Sequence, residues 1–208
     1  MANASAPPRV LVTVETSSPT LSKSGTTPFT ITLIATVDGD SPITADAPCT
    51  ILLPGTRALD YQGLIFKDTE TGTLASRVVV DVHYRPPEYL SIATASVIEI
   101  PPSSAGEAYS VSHTFYVPQV SSQPQADSPS SSSSSQSKWL LIMNQVSGFT
   151  VGRAYEIGLG NDMSRIWWWE VGTKRDVFAG GRQRGNVLNY GTQVDTVLTN
   201  VARFKVVQ

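Results

Sequence analysis

The residues that could support catalysis are two histidines, one cysteine and a few carboxylates. His83 follows Asp81 by two positions, so in an extended strand both side chains share a face and the carboxylate would orient the imidazole for proton transfer. The same pair also fits an exposed polar strand face. His113 alternates with apolar neighbours, which predicts a hydrogen-bonded histidine in the core. Cys49 lies outside the local patterns of cysteine hydrolases, and we predict no catalytic residues.

Metal and phosphate sites are not predicted either. Two histidines with no nearby cysteine pair do not make a zinc ligand set, and Asp38 and Asp40 have the composition of a hairpin turn. The segment Gly180–Gly185 contains glycines and two arginines but lacks the spacing and the lysine–serine end of a phosphate loop. It would either bind an anion through guanidinium groups and backbone amides or form a solvated hairpin tip. No metal and no cofactor are expected.

Three consecutive tryptophans are the most unusual feature of the sequence. In a strand, Trp168 points away from Trp167 and Trp169, and a two-layer sandwich buries only one face of each sheet. At least one indole would then meet solvent, a loop or a partner. Tryptophan and arginine are typical of interface hot spots and of platforms for anionic ligands. The predicted binding residues are Trp167, Trp168, Trp169, Arg165, Lys174 and Arg175.

The elements that would position these residues are strands. In Phe29–Val37, Phe29, Ile31 and Leu33 fall on one side and threonines mostly on the other, which predicts a strand with one face in a core. The same alternation predicts strands at Val10–Val14, Leu64–Asp68, Arg77–Tyr84, Ser96–Ile100, Tyr109–Val117, Trp139–Met143, Ala154–Leu159, Ile166–Val171 and Ala202–Val207. Two shorter candidates, Pro42–Ala45 and Thr50–Leu53, are interrupted by prolines and are expected at a sheet margin. Only Ala58–Leu64 and Thr173–Ala179 offer room for a helical turn.

Composition and length favour one all-β domain. The chain has 208 residues, of which 40% are hydrophobic and 15% charged, and domains of this size are common among β-proteins. We predict a single antiparallel, immunoglobulin-like β-sandwich over residues 1–208 with a flexible tail at 1–8. Residues 118–137 contain six consecutive serines and little apolar surface, which predicts a disordered insertion.

Charge and targeting signals say little about partners. The net charge of −2 does not favour nucleic acid, no segment is long and apolar enough to span a bilayer, and no signal peptide is visible, so a cytoplasmic protein is expected. Residues 1–137 carry 6 Lys/Arg and 12 Asp/Glu, whereas residues 138–208 carry 9 and 5. The two halves either compensate each other on the surface, or the second half forms a basic face for an acidic partner.

Two resemblances concern the fold. The stretches Pro28–Leu33, Pro42–Thr44, Tyr155–Leu159 and Trp168–Lys174 resemble a group of uncharacterised proteins of filamentous ascomycete fungi, which implies a β-sandwich and no particular reaction. Tyr61–Asp68 followed by Gly72 is similar to intracellular proteinase inhibitors with an immunoglobulin-like fold.

Three functions follow as hypotheses. The first is a non-enzymatic binding or adaptor domain that contacts a protein partner, or a small apolar or anionic ligand, through the tryptophan strand and its arginines. The second is a small-molecule enzyme or carrier with a tryptophan-lined pocket, in which Asp81 and His83 transfer a proton. The third, implied by the resemblance, is an intracellular protease inhibitor.

Overall fold

The computed structural model describes residues 7–25, 27–48, 50–54, 57–60, 62–77, 89–115, 146–160, 163–182, 184–185 and 193–208. These residues form strands and two four-residue helices, α1 (Arg57–Asp60) and α2 (Lys174–Val177). The strands are β1 (Arg9–Thr16), β2 (Thr20–Ser22), β3 (Thr30–Asp38), β4 (Ile43–Asp46), β5 (Leu64–Asp68), β6 (Tyr89–Leu90), β7 (Val97–Ile100), β8 (Tyr109–Thr114), β9 (Ala154–Leu159), β10 (Arg165–Ile166), β11 (Trp168–Val171), β12 (Arg184–Gly185), β13 (Val194–Leu198) and β14 (Arg203–Val207). The prediction of an all-β protein is confirmed, and both predicted helical turns are present.

The largest sheet has five strands in the order β10-β13-β1-β3-β8. In β3 every second side chain is buried, which is the pattern that alternation predicts when one face of a strand meets a core. Phe29, Ile31 and Leu33 are 3%, 0% and 0% exposed, as predicted. β3 lies between β1 and β8, so it is an interior strand.

Eight of the ten pairings between described strands are antiparallel, which agrees with the mostly antiparallel arrangement that the sequence predicts, and two are parallel. β1 runs parallel to β13, and β2 runs parallel to β14. Beyond the end of β13, the amide of Asn200 both accepts from Val14 N and donates to Val14 O at 2.8 Å. A side-chain amide therefore continues the ladder where β13 stops.

A four-stranded sheet, in the order β2-β14-β9-β5, faces the same core. Its inward side chains include Phe66 and Phe204, whose rings meet edge-on with centroids 5.9 Å apart. Phe29 reaches Phe204 from the five-stranded sheet at 4.9 Å. Tilted and edge-to-face pairs of this kind stabilise aromatic cores, and these rings join the two sheets through one hydrophobic core.

A three-stranded sheet, β11-β4-β7, completes this core. The predicted strand at Pro42–Ala45 is β4, but it is the central strand and not a margin. Pro42 and Pro48 flank the strand, so all its amides remain available for pairing on both sides. β6 and β12 form a short two-stranded ribbon that is not hydrogen-bonded into this sheet.

Several strand predictions differ from the structure or fall outside it. Residues 50–54 form turns and not a strand, because Thr50 caps the turn by donating to Ala47 O. The predicted strand Ile166–Val171 is divided at Trp167 between two sheets. The insertion at 118–137, the strand Trp139–Met143, nearly all of Arg77–Tyr84 and the tail through residue 6 lie outside the described residues.

Candidate functional site

The tryptophans lie on a sheet that is covered on both faces. Directly opposed residues share a face, so Trp169 joins Ala45 and Ile98 on the side of the main core. Trp168, Asp46 and Val97 form the opposite, outer face. The expectation that each sheet buries only one face does not hold for this sheet.

The outer face carries a second, smaller hydrophobic core. Trp168 is 4% exposed and packs with Leu90, Val97, Val177 and Phe178. Its ring stacks on Phe178 at 6.2 Å between centroids and 22° between planes. Leu90 comes from β6, Val177 from α2 and Phe178 from the residue that follows α2. We call α2, residues 178–182, the β6/β12 ribbon and the turn 91–94 that follows β6 the covering layer.

Polar contacts attach the covering layer to the sheet beneath it. Gly172 N donates to Pro42 O at 2.8 Å, and the Thr44 hydroxyl donates to Gly172 O at 2.9 Å. Gly172 adopts a φ of 125°, which favours glycine and redirects the chain from β11 into α2. Lys174 N then donates to Glu99 Oε2 at 2.7 Å. Thr173 caps the helix by accepting from Asp176 N.

The solvent side of the covering layer combines apolar and cationic groups. Tyr89 is 56% exposed, and Ile92, in the turn that follows β6, is 54% exposed. Arg175 and Arg182 are also exposed. Gly180 and Gly181 have φ values of 67° and 73°, so the chain turns sharply between these two arginines.

The six predicted binding residues have different environments. Trp168 is buried by the protein's own covering layer, which its indole supports from below. Trp167 and Trp169 are half-buried, and Trp169 packs against the main core. Lys174 is half-buried, whereas Arg165 and Arg175 are exposed. The Arg165 guanidinium lies 3.6 Å from Asp195.

The candidate catalytic residues fall into two groups. His113 is fully buried, and its Nε2 lies 2.7 Å from Ile51 O, so the prediction of a hydrogen-bonded core histidine is confirmed. Cys49, Asp81 and His83 lie outside the described residues. Within the described ranges, no cluster of His, Cys, Asp and Glu side chains could hold a metal ion.

A carboxylate with a shifted pKa lies elsewhere, in the turn after β5. Asp68 Oδ1 accepts from the backbone N–H groups of Glu70 and Thr71 at 2.8 and 3.0 Å. The pKa of Asp68 lies below its usual value, and the hydrogen bond from Thr71 N–H is the largest cause. The Glu70 N–H and the Arg153 guanidinium lower this pKa further. Arg153 also forms an ion pair with Glu70. These contacts close a turn, so the carboxylate has a structural role.

Sequence reasoning missed two residues of the covering layer's surface. Tyr89 and Ile92 come after a proline pair, in a stretch whose two-residue strand is too short to show alternation. Arg182 belongs to the glycine-rich segment already considered for anion binding. The sequence signal that could have indicated this surface was the glycine- and arginine-rich segment Gly180–Gly185 within the basic second half of the chain.

No family model, curated protein or solved structure matches this chain. In the described part of the chain, the helices are too short to cross a lipid bilayer.

Proposed function

We propose that this protein is a non-enzymatic binding or adaptor domain, an immunoglobulin-like β-sandwich acting in the cytoplasm, and that it contacts an acidic partner through the covering layer. The observation that carries the proposal is the placement of exposed Tyr89, Ile92, Arg175 and Arg182 on a layer anchored by its own hydrophobic core.

The composition of this surface favours protein recognition. Aromatic residues and arginine are enriched in interfaces and dominate their binding energy, while lysine and acidic residues are depleted there. Tyr89 and Ile92 would supply the apolar contact area that an interface centre needs. The buried Trp168 and Phe178 hold the backbone beneath them, which lowers the cost of ordering a contact surface on binding.

The charge of the layer favours an acidic partner. Residues 174–185 contain four cationic side chains and one acidic side chain. The Glu99 carboxylate beneath the layer already accepts from Lys174 N. Arginine binds carboxylates through two parallel hydrogen bonds, so Arg175 and Arg182 suit Asp and Glu side chains of a partner segment. Arg165 and Trp167 precede the layer in sequence and belong to the proposed region, whereas Trp169 packs against the main core on the other face of the sheet.

The test compares two double variants that each remove two positive charges. Arg175→Ala with Arg182→Ala changes the covering layer, and Lys67→Ala with Lys205→Ala changes exposed lysines of the four-stranded sheet. Binding to fluorescently labelled poly-L-glutamate is measured by anisotropy at low and moderate salt. We expect the arginine variant to bind at least about tenfold more weakly, a loss of roughly 1.4 kcal/mol, and the lysine variant to bind like the parent.

Two results would contradict the proposal. One is a parent protein that does not bind poly-L-glutamate even at low salt. The other is an equal loss in both double variants, since that would indicate a response to net charge and not to this surface. A Tyr89→Ala variant separates the apolar contribution, because it should weaken binding without changing the salt dependence.

A further inference from the structure

The covering layer closes its own turns with local backbone hydrogen bonds. Val177 N donates to Thr173 O in α2, and Thr94 N donates to Ser91 O in the turn after β6, both at 3.0 Å. β6 and β12 pair with each other and not with the three-stranded sheet. The layer can therefore separate from the sheet without breaking a strand pairing of that sheet.

The apolar contacts of the covering layer are separate from the main core. The sheet contributes Trp168 and Val97 to the second core, and the layer contributes Leu90, Val177 and Phe178. The opposite face of the same sheet belongs to the main core. Removing the layer would uncover one face of the sheet and leave the main core covered.

The sheet face beneath the covering layer is acidic, whereas the layer is basic. The register places Asp46, Glu99 and Glu170 on the outer side of the sheet, the side that carries Trp168. Residues 174–185 contain four cationic side chains and one acidic side chain. Opposite charges favour the closed arrangement, but charged groups regain water when two surfaces separate. Small, partly charged contacts between parts of a chain permit relative motion.

We infer that the covering layer is a lid that opens as one unit while the β-sandwich stays folded. Glu99 is the latch of this lid, because its Oε2 accepts from Lys174 N at 2.7 Å where the chain enters α2. A hydrogen bond to a carboxylate is stronger than one between neutral groups, and this one joins β7 to α2. Opening uncovers the indole of Trp168 on an acidic face that the closed protein hides. The inference does not depend on the proposed function.

Hydrogen–deuterium exchange, followed by mass spectrometry of peptides, tests whether the lid opens as a unit. In the parent chain, the slowest amides of residues 89–94 and 173–182 should exchange at least about tenfold faster than those of β3, since local opening requires less free energy than global unfolding. Glu99→Gln weakens the latch. It should accelerate exchange in both segments by the same factor, about tenfold, and leave β3 unchanged.

A second variant and a control make the result specific. Val177→Ala trims a side chain of the second core and should also accelerate both segments equally, without any change at the latch. Glu156→Gln removes a carboxylate that pairs with Arg203 on the four-stranded sheet. It makes the same chemical change as Glu99→Gln and should leave exchange in both segments unchanged.

Two outcomes would overturn the inference. One is exchange in residues 89–94 and 173–182 that is as slow as in β3. The other is acceleration by Glu99→Gln that is confined to residues 173–182, because the two segments would then open separately. Poly-L-glutamate tests the proposed function in the same experiment, since a polymer bound to the closed layer should slow exchange in both segments. Concerted opening that the polymer does not slow would contradict the proposed function and support the lid.

Discussion

The outer faces of the three-stranded and five-stranded sheets begin from the same alternating pattern but end in different environments. On the three-stranded sheet the outward residue Trp168 is buried by α2, Phe178 and Leu90. On the five-stranded sheet most outward residues of β3 and β8 are threonines and serines, several of which pair with each other and stay partly accessible. The size of the outward side chain accounts for the difference. Exposing an indole to water is unfavourable, so burying Trp168 under another segment stabilises the fold, whereas exposing a threonine costs much less free energy.

The largest expected loss of unfolding free energy comes from a substitution on the covered outer face of the three-stranded sheet. Trp168→Ala should lower the free energy of unfolding by about 3–5 kcal/mol, the range for a buried tryptophan. Thr36→Ala, an outward position on β3, should lower it by less than about 1 kcal/mol. Urea denaturation of both variants measures the comparison. Similar losses at the two positions would mean that Trp168 is not part of a core.

The two faces of β3 itself give the next contrast. Leu33 is fully buried and Thr32 is half-buried with a hydrogen bond to Ser112. Leu33→Ala should cost about 2–5 kcal/mol, and Thr32→Ala should cost much less because it removes only a surface pair. Thermal and urea unfolding both report this difference. Equal, small losses would place β3 at an edge or shift its register.

A substitution in the turn between β11 and α2 should lower the free energy of unfolding by a smaller amount. Gly172→Ala forces an alanine into a φ of 125° and should cost about 1 kcal/mol or more. Gly39→Ala is the control, since Gly39 has no positive φ and an added Cβ would only touch Val37 at 4.0 Å. Chemical denaturation, followed by tryptophan fluorescence, compares the two. A neutral Gly172→Ala would show that the layer tolerates another path from β11.

The four-stranded sheet offers a third case, in which charge and not a covering segment stabilises an edge. Because the pKa of Asp68 is lowered in the folded state, its contribution is present above its ordinary pKa and is lost as the pH falls toward the lowered value. Stability should therefore decline with acid below about pH 4. Asp68→Asn should make that decline less steep, while Thr71→Ala, which keeps the backbone donor, should retain it. An unchanged acid profile in Asp68→Asn would contradict this.

The sequence predicted long strands well because their burial follows local alternation. β1, β3, β5 and β9 lie where the pattern places them, and His113 faces inward as its apolar neighbours require. Alternation does not report which strands pair, so the parallel neighbours β1 and β13 were not foreseen. β13 (Val194–Leu198) was missed because Thr196 is polar but buried and Val197 is apolar but exposed, so the residue types do not alternate although the burial does.

The candidate site was harder to predict because it depends on contacts between distant segments. The triplet Trp167–Trp169 lies beside the second core, but which indole is covered depends on Leu90, far away in sequence, and on Phe178, which follows α2. The division of the predicted strand Ile166–Val171 between two sheets has no local signal. Arg175 was predicted as a binding residue because it flanks the triplet in sequence, and its proposed role depends on a short helix that tertiary contacts stabilise.

The pairing of β1 with β13 has a consequence for synthesis of the chain. Val14 is hydrogen-bonded to Asn200 across 186 residues of sequence, so one backbone edge of β1 stays unpaired until β13 and Asn200 have been synthesised. Contacts of such long range slow folding, and an open strand edge is a site for mispairing between nascent chains. The segment Arg9–Thr16 is therefore the place where mispairing between nascent chains is expected before β13 has been synthesised.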